Sequence, residues 1–362
     1  MFAALGCCSA LDGGYVRLFP LPASIFAAFS KETKRAQTAA LEAAIDTAVD
    51  GTDPRIRAVH GYRKKLRGTV QCALEHTEKI VETIPGPLTM DRYAFGSDPH
   101  IHAFFGSADQ VQEVITGSKA MREYIKRSVN QDADRCYALL AMRRSEKTVF
   151  GVALEGDIIR RDVKQVVVSF SDHLLLGPAE TEADARKQLK EHALTQLVEC
   201  ALQRIVSFKS QRQELEQRRT LLRSKLRKYQ ASGYGLEELA PPTTLQQETP
   251  TSVERELKQI ERELQNAGAE LATLNDYLRH VAHVLSRPQE YLSLETLALR
   301  LNRMGLKVDP SSTQRADDLG LTEVEIKDQM CAVVSFVCFS VGELSPHSAF
   351  ENELNRYLST RI

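Results

Sequence analysis

An unbroken 4,3,4,3 spacing of apolar residues runs through the second half of the chain and restricts what it can fold into. Val253, Leu257, Ile260, Leu264, Ala267, Leu271, Leu274, Leu278, Val281 and Leu285 occupy the a and d positions of a heptad repeat, the pattern by which paired helices bury a shared seam. Upstream, Leu194, Val198, Ala201, Ile205, Phe208, Arg212, Leu215, Arg219, Leu222, Leu226 and Tyr229 keep the same spacing, with two arginines standing at apolar positions. Facing residues of an antiparallel pair have a nearly constant sum of residue numbers. Tyr229 with Val253, Leu226 with Leu257, Leu222 with Ile260, Phe208 with Leu274 and Ala201 with Val281 meet that condition. Between the two runs, Ser232-Gly233-Tyr234-Gly235 and Pro241-Pro242 stop any continuous helix, because glycine lacks steric bias and proline lacks the amide proton. The pattern predicts an antiparallel coiled-coil hairpin within one chain, over residues 181–287, with its tip at 233–251. An arm of ~36 helical residues projects about 50 Å.

Around the hairpin the sequence reads as an α+β head, mainly helical, with a small antiparallel sheet. Residues 1–180 are expected to supply its helices and a β-meander. Residues 288–362 are expected to add a helix, strands that complete the sheet, and a terminal helix holding Phe350, Leu354 and Leu358. Tyr15 to Phe29 reads as an irregular apolar segment, and Ser30 caps an alanine-rich helix to about Val49. Asp53-Pro54 opens a second helix whose apolar stripe runs from Ile56 to Ile84, and the chain is then loop-rich through Gly106. The period changes to two over Cys136–Arg143, Thr148–Leu154, Val163–Phe170 and Leu174–Leu176, read as four meandering strands with turns at Ser145-Glu146-Lys147 and Glu155-Gly156-Asp157. Leu292 to Met304 reads as a helix with Gly305 as its cap, and Met330 to Val341 as a strand buried on both faces.

Composition excludes little. With 43% hydrophobic residues and a net charge of -1 over 362 residues, whole-chain electrostatics points to neither nucleic acid nor membrane. The longest apolar run, Met330 to Val341, falls short of the ~20 residues of a spanning helix. Seven cysteines without a CxxC pair fit a reducing cytoplasm. The charge is uneven, however: Gln203 to Tyr229 carries nine lysines and arginines against two glutamates.

No phosphate loop, dinucleotide fingerprint, nucleophile elbow or zinc-protease helix is present. The one local cluster of chemical interest is Asp98-Pro99-His100-Ile101-His102. In an extended segment Asp98, His100 and His102 project to one side, with Asp172 or His173 as a fourth ligand. A short HxH is a frequent coincidence, and neither metal nor cofactor is expected here. His280 and His283 are expected as surface residues beside the seam.

The function these features suggest is non-enzymatic: a cytoplasmic scaffold whose arm contacts another protein or a second copy of the chain. The expected contact residues are Tyr234, Leu236, Leu239 and Leu245 at the tip, with Arg212 and Arg219 in the seam. Two alternatives stand beside it. One is a nucleic-acid-associated protein using the basic first arm and the helix from Arg55 to Arg67; the other is a metal-dependent enzyme at Asp98, His100 and His102.

Overall fold

Residues 38–50 form the first described helix, α1, and lay Ile45, Ala48 and Val49 into a core shared with later helices. A computed structural model describes residues 38–127, 135–155, 158–232, 250–309, 312 and 314–340. The segment at 15–29, the tip residues Tyr234, Leu236, Leu239 and Leu245, and the C-terminal helix expected at Phe350 to Leu358 lie outside them.

Asp53 accepts from the Arg55 amide at 3.1 Å and caps a 3-10 turn, Pro54–Ala58. The helix expected to run on from there is interrupted at Gly61, whose φ of 69° is left-handed, and α2 begins at Tyr62 (Tyr62–Thr83). Its stripe Leu66, Val70, Ala73, Thr77 and Ile80 is buried as the spacing requires, whereas Arg63 on that stripe turns outward to Asp46.

After a short strand β1 (Leu88–Thr89), the stretch read as loop contains two small helices, α3 (Ala94–Ser97) and α4 (Pro99–Phe104). Then follow α5 (Ala108–Gly117) and α6 (Lys119–Arg127). The expected four-strand meander is instead one long hairpin, β2 (Arg135–Glu155) and β3 (Ile158–Ala179), paired continuously with three register irregularities. Ser145-Glu146-Lys147 is polar because it lies on a solvated ribbon, and Glu146 and Lys147 pair across it with Val168 and Val167 rather than turning the chain.

Helix α7 (Glu182–Ser232) leads into α8 (Pro250–Glu270) and α9 (Leu274–Ser286). The heptad spacing predicts one helix from Val253 to Leu285, but the helix breaks between Glu270 and Leu274. There the Asp276 carboxylate accepts from the amide and hydroxyl of Thr273, at 2.8 Å each. This Thr-x-x-Asp capping signal offers the backbone a new start that competes with the seam.

Leu292 to Leu301 is strand β4 and not a helix; β5 (Asp317–Ile326) and β6 (Met330–Ser340) complete the sheet. Leu292 and Leu294 face the helical layer while Leu297, Leu299 and Leu301 face the opposite core, a mixed spacing that imitates helical periodicity. The sheet order is β3-β2-β6-β5-β4, with β1 parallel to β6 where β5 has left it. Beyond β4 the chain folds back on Leu301 and bridges Val167 of β3 through Leu306, so the two edges of a curled sheet meet.

Two cores result. Inside the curl, Leu140, Met142, Leu299, Leu321 and Val337 close on Ile101, Phe104, Val111 and Met121 from α4 to α6. On the outer face, Leu139, Val334 and Phe336 meet α2 and α7. Strand β6 is buried on both faces, as its continuous apolar run requires. The class is mixed α+β, and no helix among the described residues is long and apolar enough to cross a membrane.

Candidate functional site

Past Phe208, helix α7 leaves the main core and packs on α8. Leu222, Val253 and Ile260 are buried there, flanked by Leu215, Leu226, Leu257 and Leu264, and every residue of this cluster comes from α7 or α8. The seam is laced by Arg218 to Glu256 at 2.5 Å and Arg223 to Glu261 at 2.7 Å. Leu221 of this stretch is exposed, as is Val206 just before it.

The two seam arginines behave differently. Arg212 is half-exposed and pairs with Glu216, one turn along its own helix, at 3.0 Å. Arg219 is partly buried, and its Nε is enclosed with no hydrogen-bond partner among the described residues. An enclosed donor without an acceptor costs stability, whereas an exposed ion pair contributes little. Arg219→Leu is therefore expected to raise stability by roughly 1 kcal/mol, with Arg212→Leu near neutral. Thermal melts of the single and double variants check this; a loss of stability in Arg219→Leu would show that its guanidinium holds a contact of value.

At the root of the two helices His280 is 4% exposed, not on the surface. The break after Glu270 leaves the α8 C-terminal carbonyls without intrahelical donors. His280 Nε2 donates to the Glu270 carbonyl at 3.1 Å, its Nδ1 accepts from Arg204 Nε at 3.3 Å, and its ring lies on Phe208. Arg204 reaches on to the Tyr291 hydroxyl at 3.3 Å, and His283 sits beside that hydroxyl at 3.5 Å.

The Asp98 cluster is not extended. Asp98 caps α4, its Oδ1 accepting from the amides of His100 at 2.8 Å and Ile101 at 3.4 Å, with Pro99 in the first helical position. Asp-Pro here has the meaning it has at Asp53-Pro54, a helix start. The histidines are used separately. His100 Nδ1 stands 3.6 Å from Asp98 Oδ1, and His102 meets the Arg303 carbonyl at 3.3 Å beside a cavity of about 310 Å³ lined by Phe104, Val168 and Gly305. His173 Nε2 donates to the Phe104 carbonyl at 2.8 Å while its ring stacks on Phe105. Among the described residues no group of three or more His, Cys, Asp or Glu side chains is placed to hold a metal ion.

Burial holds the His173 imidazole below its ordinary value of 6.5. The folded protein thus binds fewer protons there than the unfolded chain. The stability His173 contributes is complete above pH 6.5 and is lost as pH falls through that value toward the lower folded one. His173→Phe, which keeps the stack, is expected to flatten this part of the melting-temperature profile; an unchanged slope below pH 6.5 would show that His173 is not its source.

A further surface escaped the sequence reading. Past Met142 and Val168, β2 and β3 pair chiefly with each other, and the ribbon exposes Val149, Phe150 (67%) and Val152 (61%). Arg144 anchors its base to Glu323 of β5 at 3.1 Å and to Glu146. The signal was the length of the two apolar runs taken together. Polar residues interrupt a solvated ribbon without turning it.

Comparison of the chain with protein-family models, with curated proteins and with solved structures found no match.

Proposed function

We propose that this chain is a non-enzymatic interaction protein, an α+β head from which an antiparallel coiled-coil arm, α7 with α8, projects to contact another protein or a second copy of the chain. The observation that carries this reading is the separate cluster of Leu222, Val253 and Ile260, formed among the described residues by these two helices. A second core outside the head adds ordering cost without enlarging the main core, and presentation of a surface accounts for it. The exposed Leu221 on α7 provides apolar contact area along the arm.

The nucleic-acid reading draws less support, because several of the arginines it relies on are paired with carboxylates within the chain. Arg55 pairs with Asp53, Arg57 with Asp50, Arg63 with Asp46 and Arg67 with Glu42, while Arg218 and Arg223 are paired across the seam. The metal-enzyme reading rests on an extended Asp98 segment, and that residue is a helix cap.

Cysteines at Leu222 and Ile260 are expected to crosslink within a monomer under dilute oxidising conditions; product at dimer mass alone would refute the intramolecular arm. A variant with residues 213–266 replaced by a short Gly/Ser linker is expected to keep the head's melting temperature and to lose association. Association that survives the replacement would exclude the arm as the contact surface.

A further inference from the structure

Between the outer face of the sheet and its helical cover the packing leaves an apolar cleft of about 140 Å³ that opens to solvent on one side. Leu139, Val324 and Val334 form its sheet side, and Ile80 of α2 with Leu189 and Ala193 of α7 form its helical side. Of the described side chains around it only His192 and Gln196 carry nitrogen or oxygen, and the Gln196 amide nitrogen already donates to Gln329 at 2.7 Å. His192 is exposed and Met330 is 50% exposed, so both stand at the rim.

A buried water needs two to four polar partners, and the walls of this space provide none beyond the rim. Apolar walls facing a void forfeit dispersion contacts that a hydrocarbon would restore. The size is informative, since an engineered apolar cavity of about 150 Å³ stays dry and takes up benzene. We propose that this cleft is a binding site for an uncharged hydrocarbon group of about six carbon atoms, ring or short chain, entering between His192 and Met330. A charged occupant is disfavoured because nothing inside would compensate its desolvation. The site lies within the head, and its existence does not depend on the role assigned to the projecting helices.

Benzene and xenon are suitable probes with the full chain. Benzene is expected to raise the melting temperature in proportion to the logarithm of its concentration, and at ten times its Kd to raise the folding constant roughly tenfold. Intermolecular NOEs from benzene to the methyl groups of Leu189 and Val334 locate it, and xenon is expected to compete. Ala193→Leu fills the space and is expected to abolish the response. Should that variant fail to fold, the NOEs and xenon competition on the unmodified chain decide the matter. No concentration-dependent rise, NOEs only to methyls elsewhere, or a full response in folded Ala193→Leu would overturn the proposal.

Discussion

Phe336→Ala is expected to destabilise the protein by about 3–5 kcal/mol, the range for removing a fully enclosed aromatic side chain. Phe336 is 0% exposed and pairs across β6 and β2 with Leu139, in the cluster that joins the outer sheet face to Val81 of α2, to Ile84 just past its end and to Ala185 of α7. Its ring also supports a charge. The Arg186 guanidinium lies 4.2 Å from the ring centroid, donates to the Val81 carbonyl at 2.7 Å and the Ile84 carbonyl at 3.3 Å, and pairs with Glu182. Arg186 thereby satisfies carbonyls that the end of α2 leaves open, and it holds its place against Phe336. Alanine leaves a void on the ring's side and removes the π face beneath the guanidinium. Phe336→Leu keeps most of the volume and loses only the face, so it should fall well short of the alanine effect. Denaturant unfolding at constant m-value measures both. A loss below about 1 kcal/mol in Phe336→Ala would mean that the cluster collapses around the gap.

What could be read from the sequence was set by whether a local rule faced competition. The stripe of α2 and the doubly buried run of β6 were legible because burial on one face or on both is a direct consequence of spacing. The heptad run located α7, α8 and α9, yet it concealed the break at Thr273, because spacing does not register a capping box that restarts the helix. Leu292 to Leu301 was misread because its residues favour helix, and because it buries one face early and the other late. Only the sheet it joins decides its conformation. Asp98 shows the opposite case: the information was local and present, since Asp-Pro marks a helix start, but the segment reads as extended when only its alternating Asp, His and His are considered. The partners of His102 and His280 were not legible, because each uses a backbone carbonyl supplied by a chain reversal or a helix end far from it in sequence or created by a break.

Gly305→Val is expected to cost roughly 3 kcal/mol, from a strained backbone and the hydrogen bonds displaced with it. Gly305 does not cap a helix; it forms the reversal that brings the end of β4 to the edge of β3. Its φ is 73°, a region that a β-branched residue avoids. A Cβ there would also stand 2.9 Å from the Val168 carbonyl oxygen, which is backbone and cannot swing aside. The turn is otherwise well supplied. Asn302 Oδ1 accepts from the amides of Met304 and Leu306 at 2.9 Å each, the Val168 amide donates to the Gly305 carbonyl at 2.8 Å, and the Lys307 amide donates to Val166 at 2.8 Å. Pushing Gly305 off β3 breaks the last two and opens the cavity beside His102, whose partner, the Arg303 carbonyl, lies in the same turn. Amide exchange at Val168 and Lys307 should accelerate in the variant, while Leu139 and Ala141, held between β3 and β6, keep their protection. Gly305→Asn separates the causes, since asparagine tolerates a left-handed backbone but still carries the Cβ. Recovery of most of the stability in Gly305→Asn would assign the cost to φ; a loss equal to valine's would assign it to the contact with Val168. Wild-type stability in both variants would mean that the edges of the sheet are not held together at this turn.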